Sequence, residues 1–312
     1  MKIGILGMGG VGCFIGAKLT KHYENDGSTQ IIFICRNETK EAILNNGLTL
    51  IKDGQTTISR PYMASDDAGQ IGLLDILLVT TKSFSLPTAL EEYRACLKED
   101  TVVIPIQNGV NSKSLIEAHS GHDPSRILEG CIYIVSNMLS PGVVKHLGGP
   151  GKIFFGNRGI GDFSRIEKIL TDGGLDITYT KDITTIVWRK YLFVSPLAAM
   201  TTALKKTFGE LVEDPSNRAQ LEAMMQEVKS VAIGMNVPLT NENVERSLAM
   251  LSNFPYPSKS SLQLDFENRS PSNEKDVLVD FVIEQGRKLG INVSNYEEMN
   301  DKIAYHSGSL NG

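Results

Sequence analysis

The first twelve residues constrain this chain more than any other stretch. Met1-Lys2-Ile3-Gly4-Ile5-Leu6 is a short apolar run that leads into glycines spaced G-x-G-x-x-G at Gly7, Gly9 and Gly12. Behind them, Cys13 to Leu19 carries the apolar spacing of a helix. In a strand-turn-helix unit each glycine has a physical task. Gly7 permits the tight turn, Gly9 lets the backbone approach a pyrophosphate, and Gly12 lets the helix lie close on the strand. The helix N-terminus then offers unpaired N–H groups and a partial positive charge to phosphates. Glycines also gather in turns for purely structural reasons, but the strand before and the helix after favour dinucleotide binding. The candidate cofactor-binding residues of the loop are therefore Gly7, Met8, Gly9, Gly10, Val11 and Gly12.

A chain of 312 residues is too long for one small core, and two domains are expected. A net charge of −5 argues against a nucleic-acid surface or an anionic membrane as partner. No uncharged apolar run reaches the ~18 residues of a membrane span. The N-terminal run lacks a basic flank and ends in glycine, so it reads as a strand and not a signal peptide, and a cytoplasmic location is expected. Cys13, Cys35, Cys96 and Cys131 form no C-x-x-C pair, as expected of buried free thiols in a reducing compartment. The five histidines show no ligand spacing, so no metal is expected.

Gln30 to Cys35 reads as the second strand, ending at Arg36-Asn37-Glu38. The NAD form of this unit places an acidic side chain roughly 20 residues past the glycines to hold the ribose 2′-hydroxyl. Here an arginine stands at the strand end. Its guanidinium can pair with a 2′-phosphate, which an acid would repel, so Arg36 favours NADPH. Glu38, two residues on, keeps NADH open. Residues 47–64 suit a small antiparallel hairpin. Leu74 to Thr81 and Thr101 to Ile106 are the apolar runs of buried parallel strands. They close on Lys82 and on Gln107-Asn108-Gly109-Val110, where open parallel sheets bind ligands.

Three further strands from Ile127 to Gly156 are expected to finish the sheet, followed by a helix from Phe163 to Asp172 and a strand near 175–180. Beyond about Asp182 strand signals nearly vanish. Helices are expected over 183–205, 217–235, 241–251 and 273–288. A polar patch at 258–266 lies among them, and the tail from Ser307 is expected to be disordered. The expected organisation is an α/β Rossmann domain over 1–181 and an all-helical domain over 182–312.

The opening G-M-G-G-V-G, Thr81-Lys82, Gln107-Asn108-Gly109-Val110, Trp188-Arg189-Lys190 and Ser260-Ser261…Gln263…Asp265…Glu274 occur here in one order and spacing. In these the chain resembles the ketopantoate reductase (2-dehydropantoate 2-reductase) family over nearly its whole length. The resemblance implies NADPH-dependent reduction of 2-dehydropantoate to (R)-pantoate, a step toward pantothenate and coenzyme A. It implies Lys190 as catalytic general acid, Glu274 as acceptor of the substrate hydroxyl and Ser261 as donor to the substrate carboxylate. Asn108 matches the asparagine near nicotinamide and substrate, and Lys82 and Arg36 match cofactor-side positions. The expected partner is a small-molecule 2-oxo acid, with homodimerisation left open.

The pattern departs from the family at two asparagine positions, four and eight residues after the lysine, which here are Val194 and Ala198. A one-residue shift of the helix register would let Ser195 replace the first. Pro271 intrudes before Glu274, and Arg269 stands one place early. These changes open two other readings: reduction of a different small 2-oxo acid, and a non-catalytic NADP(H)-binding sensor.

Overall fold

The computed structural model describes residues 1–159 and 161–308. The chain forms two compact units. One holds Met1–Gln107 and Asn111–Ile183; the other holds Asn108–Val110 and the chain from Thr184 onward.

The first unit is built on a five-stranded parallel sheet. In chain order its strands are β1 (Lys2–Leu6), β2 (Gln30–Ile34), then, after the hairpin β3 (Leu48–Lys52) and β4 (Gln55–Ser59), β5 (Met63–Ser65), β6 (Leu74–Val79) and β7 (Leu97–Pro105). The spatial order is β5-β2-β1-β6-β7. The order reverses between β1 and β6, which makes the carboxyl ends of these two strands the switch point where α/β sheets take ligands.

Both faces of the sheet are covered, which is why its strands read as unbroken apolar runs. Side chains alternate between faces. Ile31 and Phe33 join Ile3 and Ile5 in one core with Phe14, Ile15 and Leu19 of α1 (Gly10–Tyr23). Ile32 and Ile34 join Leu77 and Val79 in another core. That second core is closed by α3 (Ala68–Ile71), α4 (Leu86–Glu92) and α5 (Ser112–Ser120), after α2 (Asn37–Asn46).

The strands after Ile127 do not finish this sheet. β8 (Glu129–Ser140) and β9 (Val143–Gly156) form a long antiparallel ribbon, and β9 pairs in parallel with both β3 and β10 (Ile177–Tyr179). The result is a second sheet, ordered β10-β9-β3-β4, with α6 (Ser164–Asp172) preceding β10. Long-range pairing of β3 with β9 leaves no local sequence signal, so these strands could be expected but not assigned to a sheet. All four cysteines are buried and none forms a disulfide. Burial pushes the Cys35 thiol up to about 12 and the Cys13 thiol higher still, so both are inert.

The second unit is helical: α7 (Ile183–Leu204), α8 (Phe208–Glu213), α9 (Pro215–Gly234), α10 (Asn241–Met250), α11 (Ser261–Glu267), a π-helical turn at Asp276–Asp280, α12 (Phe281–Leu289) and α13 (Ser294–Gly308). The polar patch expected at 258–266 therefore contains a helix, capped by the Ser260 hydroxyl, which accepts from the Gln263 N–H at 3.1 Å. The expected disordered tail is helical through Gly308, and 309–312 lie outside the described residues. Trp188, Tyr191, Leu192, Leu221, Met224, Val228 and Tyr296 are among the side chains of the single core of this unit. Among the described residues, no helix is long and apolar enough to cross a membrane.

Candidate functional site

β1 delivers the chain into the glycine loop at the switch point. Gly7 has φ +96°, and a Cβ there would stand 2.8 Å from both the nitrogen and Cγ2 of Thr81. The Thr80 hydroxyl donates to the Gly7 carbonyl at 2.5 Å, tying the end of β6 to the loop. A Cβ on Gly12 would overlap that same carbonyl, so α1 can approach only as glycine. Gly9 is different: it is exposed, and the place of its Cβ has nothing within 4 Å.

Gly10, an unspecified position in the motif, is required by β8. A Cβ there would overlap the Ser136 carbonyl, and the Ser136 hydroxyl donates to the Gly10 carbonyl at 3.0 Å. Met8 is 6% exposed and Val11 packs on the core, so both offer a ligand their backbone alone. No side chain caps α1, and its first turn holds no acid. This end can accept a phosphate through N–H groups and helix dipole.

Arg36 follows β2 and caps α2 with extended backbone. Its guanidinium lies 3.4 Å from Glu92 of α4, with side chains 47% and 37% exposed. Nearby, Lys40 donates to Asp66 at 2.7 Å, and this bond holds the Asp66 carboxyl below its usual range. The counter-ion Glu92 lies 56 residues from Arg36, beyond any local pattern. Lys82 is half-buried, in extended backbone at the entry to a short 3-10 turn, Ser83–Ser85.

Two buried polar atoms lie at the same carboxyl edge without a partner. The Gln107 amide nitrogen donates to the Thr81 carbonyl at 2.6 Å, which leaves Gln107 Oε1 unsatisfied, and Thr81 Oγ1 is unsatisfied as well. Orphaned buried polar atoms beside a glycine cradle fit a polar ligand that brings hydrogen bonds of its own. Both residues stand within the sequence motifs, but nothing in their spacing marks either as a ligand contact.

In the second unit, α7 carries Lys190, which is 9% exposed, and its ammonium donates to Asn108 Oδ1 at 2.7 Å. Gln107 belongs to the first unit and Asn108 to the second, so consecutive residues serve different units. Val194 and Ala198, one and two turns along α7 from Lys190, bring no hydrogen-bonding side chain.

Ser195 does not replace the missing asparagine. It is fully buried; its hydroxyl lies 2.6 Å from the Leu278 carbonyl and 2.6 Å from the Tyr296 hydroxyl. Tyr191 donates to the Val277 carbonyl at 2.7 Å. A π-turn breaks the usual i→i+4 ladder, and these two hydroxyls from α7 satisfy carbonyls within it. We expect Ser195→Ala to cost about 1–3 kcal/mol in unfolding free energy through the unpaired groups it leaves. Denaturant titration measures this, and a substrate KM equal to that of the parent confirms that the residue is structural.

Glu274 lies just before the π-turn and is 6% exposed, its carbonyl accepting from the Leu278 N–H at 3.0 Å. Ser261, the first residue of α11, is exposed. Its neighbour Ser260 is the buried one, within 2.6 Å of the Thr201 hydroxyl. The two-serine pattern could not say which of the pair faces inward; the cap geometry does.

Models of the ketopantoate reductase PanE/ApbA family match residues 3–159, and those of its C-terminal part match 182–303. A 2-dehydropantoate 2-reductase of Mesorhizobium japonicum is 29% identical over 92% of this chain and 92% of its own. The uncharacterised oxidoreductase YkpB of Bacillus subtilis is 25% identical over 93% of this chain and 94% of its own. The crystal structure of a PanE/ApbA family ketopantoate reductase from Ralstonia eutropha superposes with TM-score 0.89 at 21% identity, covering 100% of both chains. With both family models matched along its length, the chain belongs to the ketopantoate reductase PanE/ApbA family of oxidoreductases.

Proposed function

We propose that the chain is an NADPH-dependent reductase of a small 2-oxo acid, with 2-dehydropantoate as substrate and (R)-pantoate as product on the route to pantothenate and coenzyme A. The observation that carries the chemistry is the buried ammonium of Lys190, held by Asn108 at 2.7 Å. Hydride addition to a ketone carbon places negative charge on the oxygen, and a donor within reach stabilises that charge and then gives up a proton. Lys190 Nζ is that donor, and solvent restores its proton after turnover. Its bond to Asn108 Oδ1 fixes the direction of the ammonium and leaves the asparagine N–H2 as a second donor toward the same oxygen. Low exposure strengthens both interactions by excluding water.

When bound, the reduced nicotinamide supplies the hydride. The dinucleotide would be held by the backbone of Gly7 to Gly12, with Lys82 beside it and Arg36 at the 2′-phosphate. Glu274 would accept the substrate hydroxyl and Ser261 would donate to its carboxylate.

The apolar Val194 and Ala198, with Ser195 sealed inside the core, favour a second reading in which the substrate is a 2-oxo acid with an apolar side chain. A site that lacks polar partners at these two positions selects less strongly for a hydroxyl-bearing side chain. Comparing kcat/KM for 2-dehydropantoate against branched and aromatic 2-oxo acids decides between them. The main reading expects 2-dehydropantoate to lead, the second expects an apolar acid to lead, and NADPH binding without turnover on any of them refutes both.

A further inference from the structure

Gln107 has no part in the chemistry above, yet its side chain is buried and held at the carboxyl edge of the parallel sheet. It is 7% exposed and directly follows Ile106, whose N–H continues the pairing of β7 with β6 by donating to the Val79 carbonyl at 2.7 Å. Its amide orientation is not arbitrary. The Thr81 carbonyl 2.6 Å away can only accept, so the nitrogen must face it and the oxygen must face elsewhere. That oxygen has no partner, and neither does the hydroxyl of Thr81, whose backbone touches the turn at Gly7. A buried acceptor left unpaired costs as much as a lost hydrogen bond, and a ligand group that donates to it recovers that cost.

The position limits which ligand group that is. In a sheet of this order the adenosine end lies over β2, where Arg36 stands, so the other end of a dinucleotide lies over β6 and β7. Gln107 Oε1 requires a donor. Phosphates have none, whereas the nicotinamide nucleoside has two kinds: the carboxamide N–H2 and the ribose hydroxyls.

We propose that Gln107 Oε1 is a specificity-determining acceptor for the nicotinamide nucleoside, with Thr81 Oγ1 as its neighbour in the same contact. The inference rests on the proposed dinucleotide reading. It assigns recognition of the nicotinamide end to a residue of the first unit, one position before the asparagine that holds Lys190.

The test measures dissociation constants by fluorescence titration for NADPH, for its 3-acetylpyridine analogue, which lacks the amide N–H, and for 2′,5′-ADP, the adenosine end alone. Gln107→Met keeps the length and volume of the side chain and removes the acceptor together with the donor to the Thr81 carbonyl. Discrimination between NADPH and the analogue is therefore the reading specific to the acceptor. NADPH should bind about tenfold more weakly to this variant, the worth of one hydrogen bond, while 2′,5′-ADP binds as it does to the parent. Unchanged 2′,5′-ADP binding also shows that the first unit is folded.

If the carboxamide is the donor, the parent discriminates against the analogue and the variant does not. If a ribose hydroxyl is the donor, NADPH and the analogue weaken together. Equal weakening of NADPH and 2′,5′-ADP, or no weakening of either, overturns the proposal. Failure of the underlying dinucleotide reading looks different: the parent itself then binds none of NADPH, NADH and 2′,5′-ADP.

Discussion

Replacing Lys190 with alanine should reduce kcat on the order of 10²–10⁴-fold while leaving the dissociation constant for NADPH that of the parent. The magnitude follows from what the ammonium supplies. In the proposed chemistry it would be both the proton source and a positive charge for the developing oxyanion, and its low exposure would raise the value of that charge. A rise in KM without loss of kcat would instead mean that Lys190 only binds the substrate carboxylate.

Lys190→Arg separates charge from geometry. A guanidinium keeps the charge but is a poor acid and cannot point a single donor from the place that Asn108 fixes, so it should remain strongly impaired. Stopped-flow measurement of a single turnover checks this without interference from product release. Lys190→Ala also leaves Asn108 without its bond, so a small fall in the thermal midpoint is expected alongside.

The second large effect concerns the other end of the cofactor. Arg36→Ala should weaken NADPH by about 1–2 kcal/mol and leave NADH nearly unchanged. A charge-assisted bond to phosphate is worth about 1.5–3 kcal/mol, but Arg36 already pairs with Glu92 at 3.4 Å. That pair is half exposed and contributes at most about 1 kcal/mol, so phosphate displaces it at modest cost. Glu92→Gln should therefore tighten NADPH without affecting NADH. Parallel titrations with the two cofactors measure both variants, and equal losses for the two would remove Arg36 from the 2′-phosphate.

What could be read from the chain divides along physical lines. The parallel sheet was legible because its strands are buried on both faces, so Ile31 to Ile34 and Ile76 to Val79 are continuous apolar runs. The glycine loop was legible because Gly7 and Gly12 are local steric requirements. Gly10 was not, since its demand comes from Ser136, 126 residues away. The second sheet escaped for the same reason, as β9 meets β3 only across long sequence separation.

In the candidate site, Lys190 and Asn108 were legible as residues and the fold brings them together. Ser195 was misplaced because helical spacing alone cannot distinguish a face that meets ligand from one that meets a π-turn. The hydroxyl partners Leu278 and Tyr296 decide it, and both are distant in sequence. The charge of Arg36 was visible, whereas its pairing with Glu92 depended on how α4 packs.

The central claim is that this chain moves a hydride from a reduced nicotinamide to the carbonyl carbon of a 2-oxo acid, with Lys190 as proton donor. The most direct test incubates the purified chain with NADPH carrying deuterium at the transferable position and 2-dehydropantoate, and reads the product by mass spectrometry. The expected result is one deuterium at the carbinol carbon of pantoate for each NADPH consumed, with the label formed on the order of 10²–10⁴-fold more slowly by Lys190→Ala. Tight binding of NADPH with no labelled 2-hydroxy acid formed would contradict it.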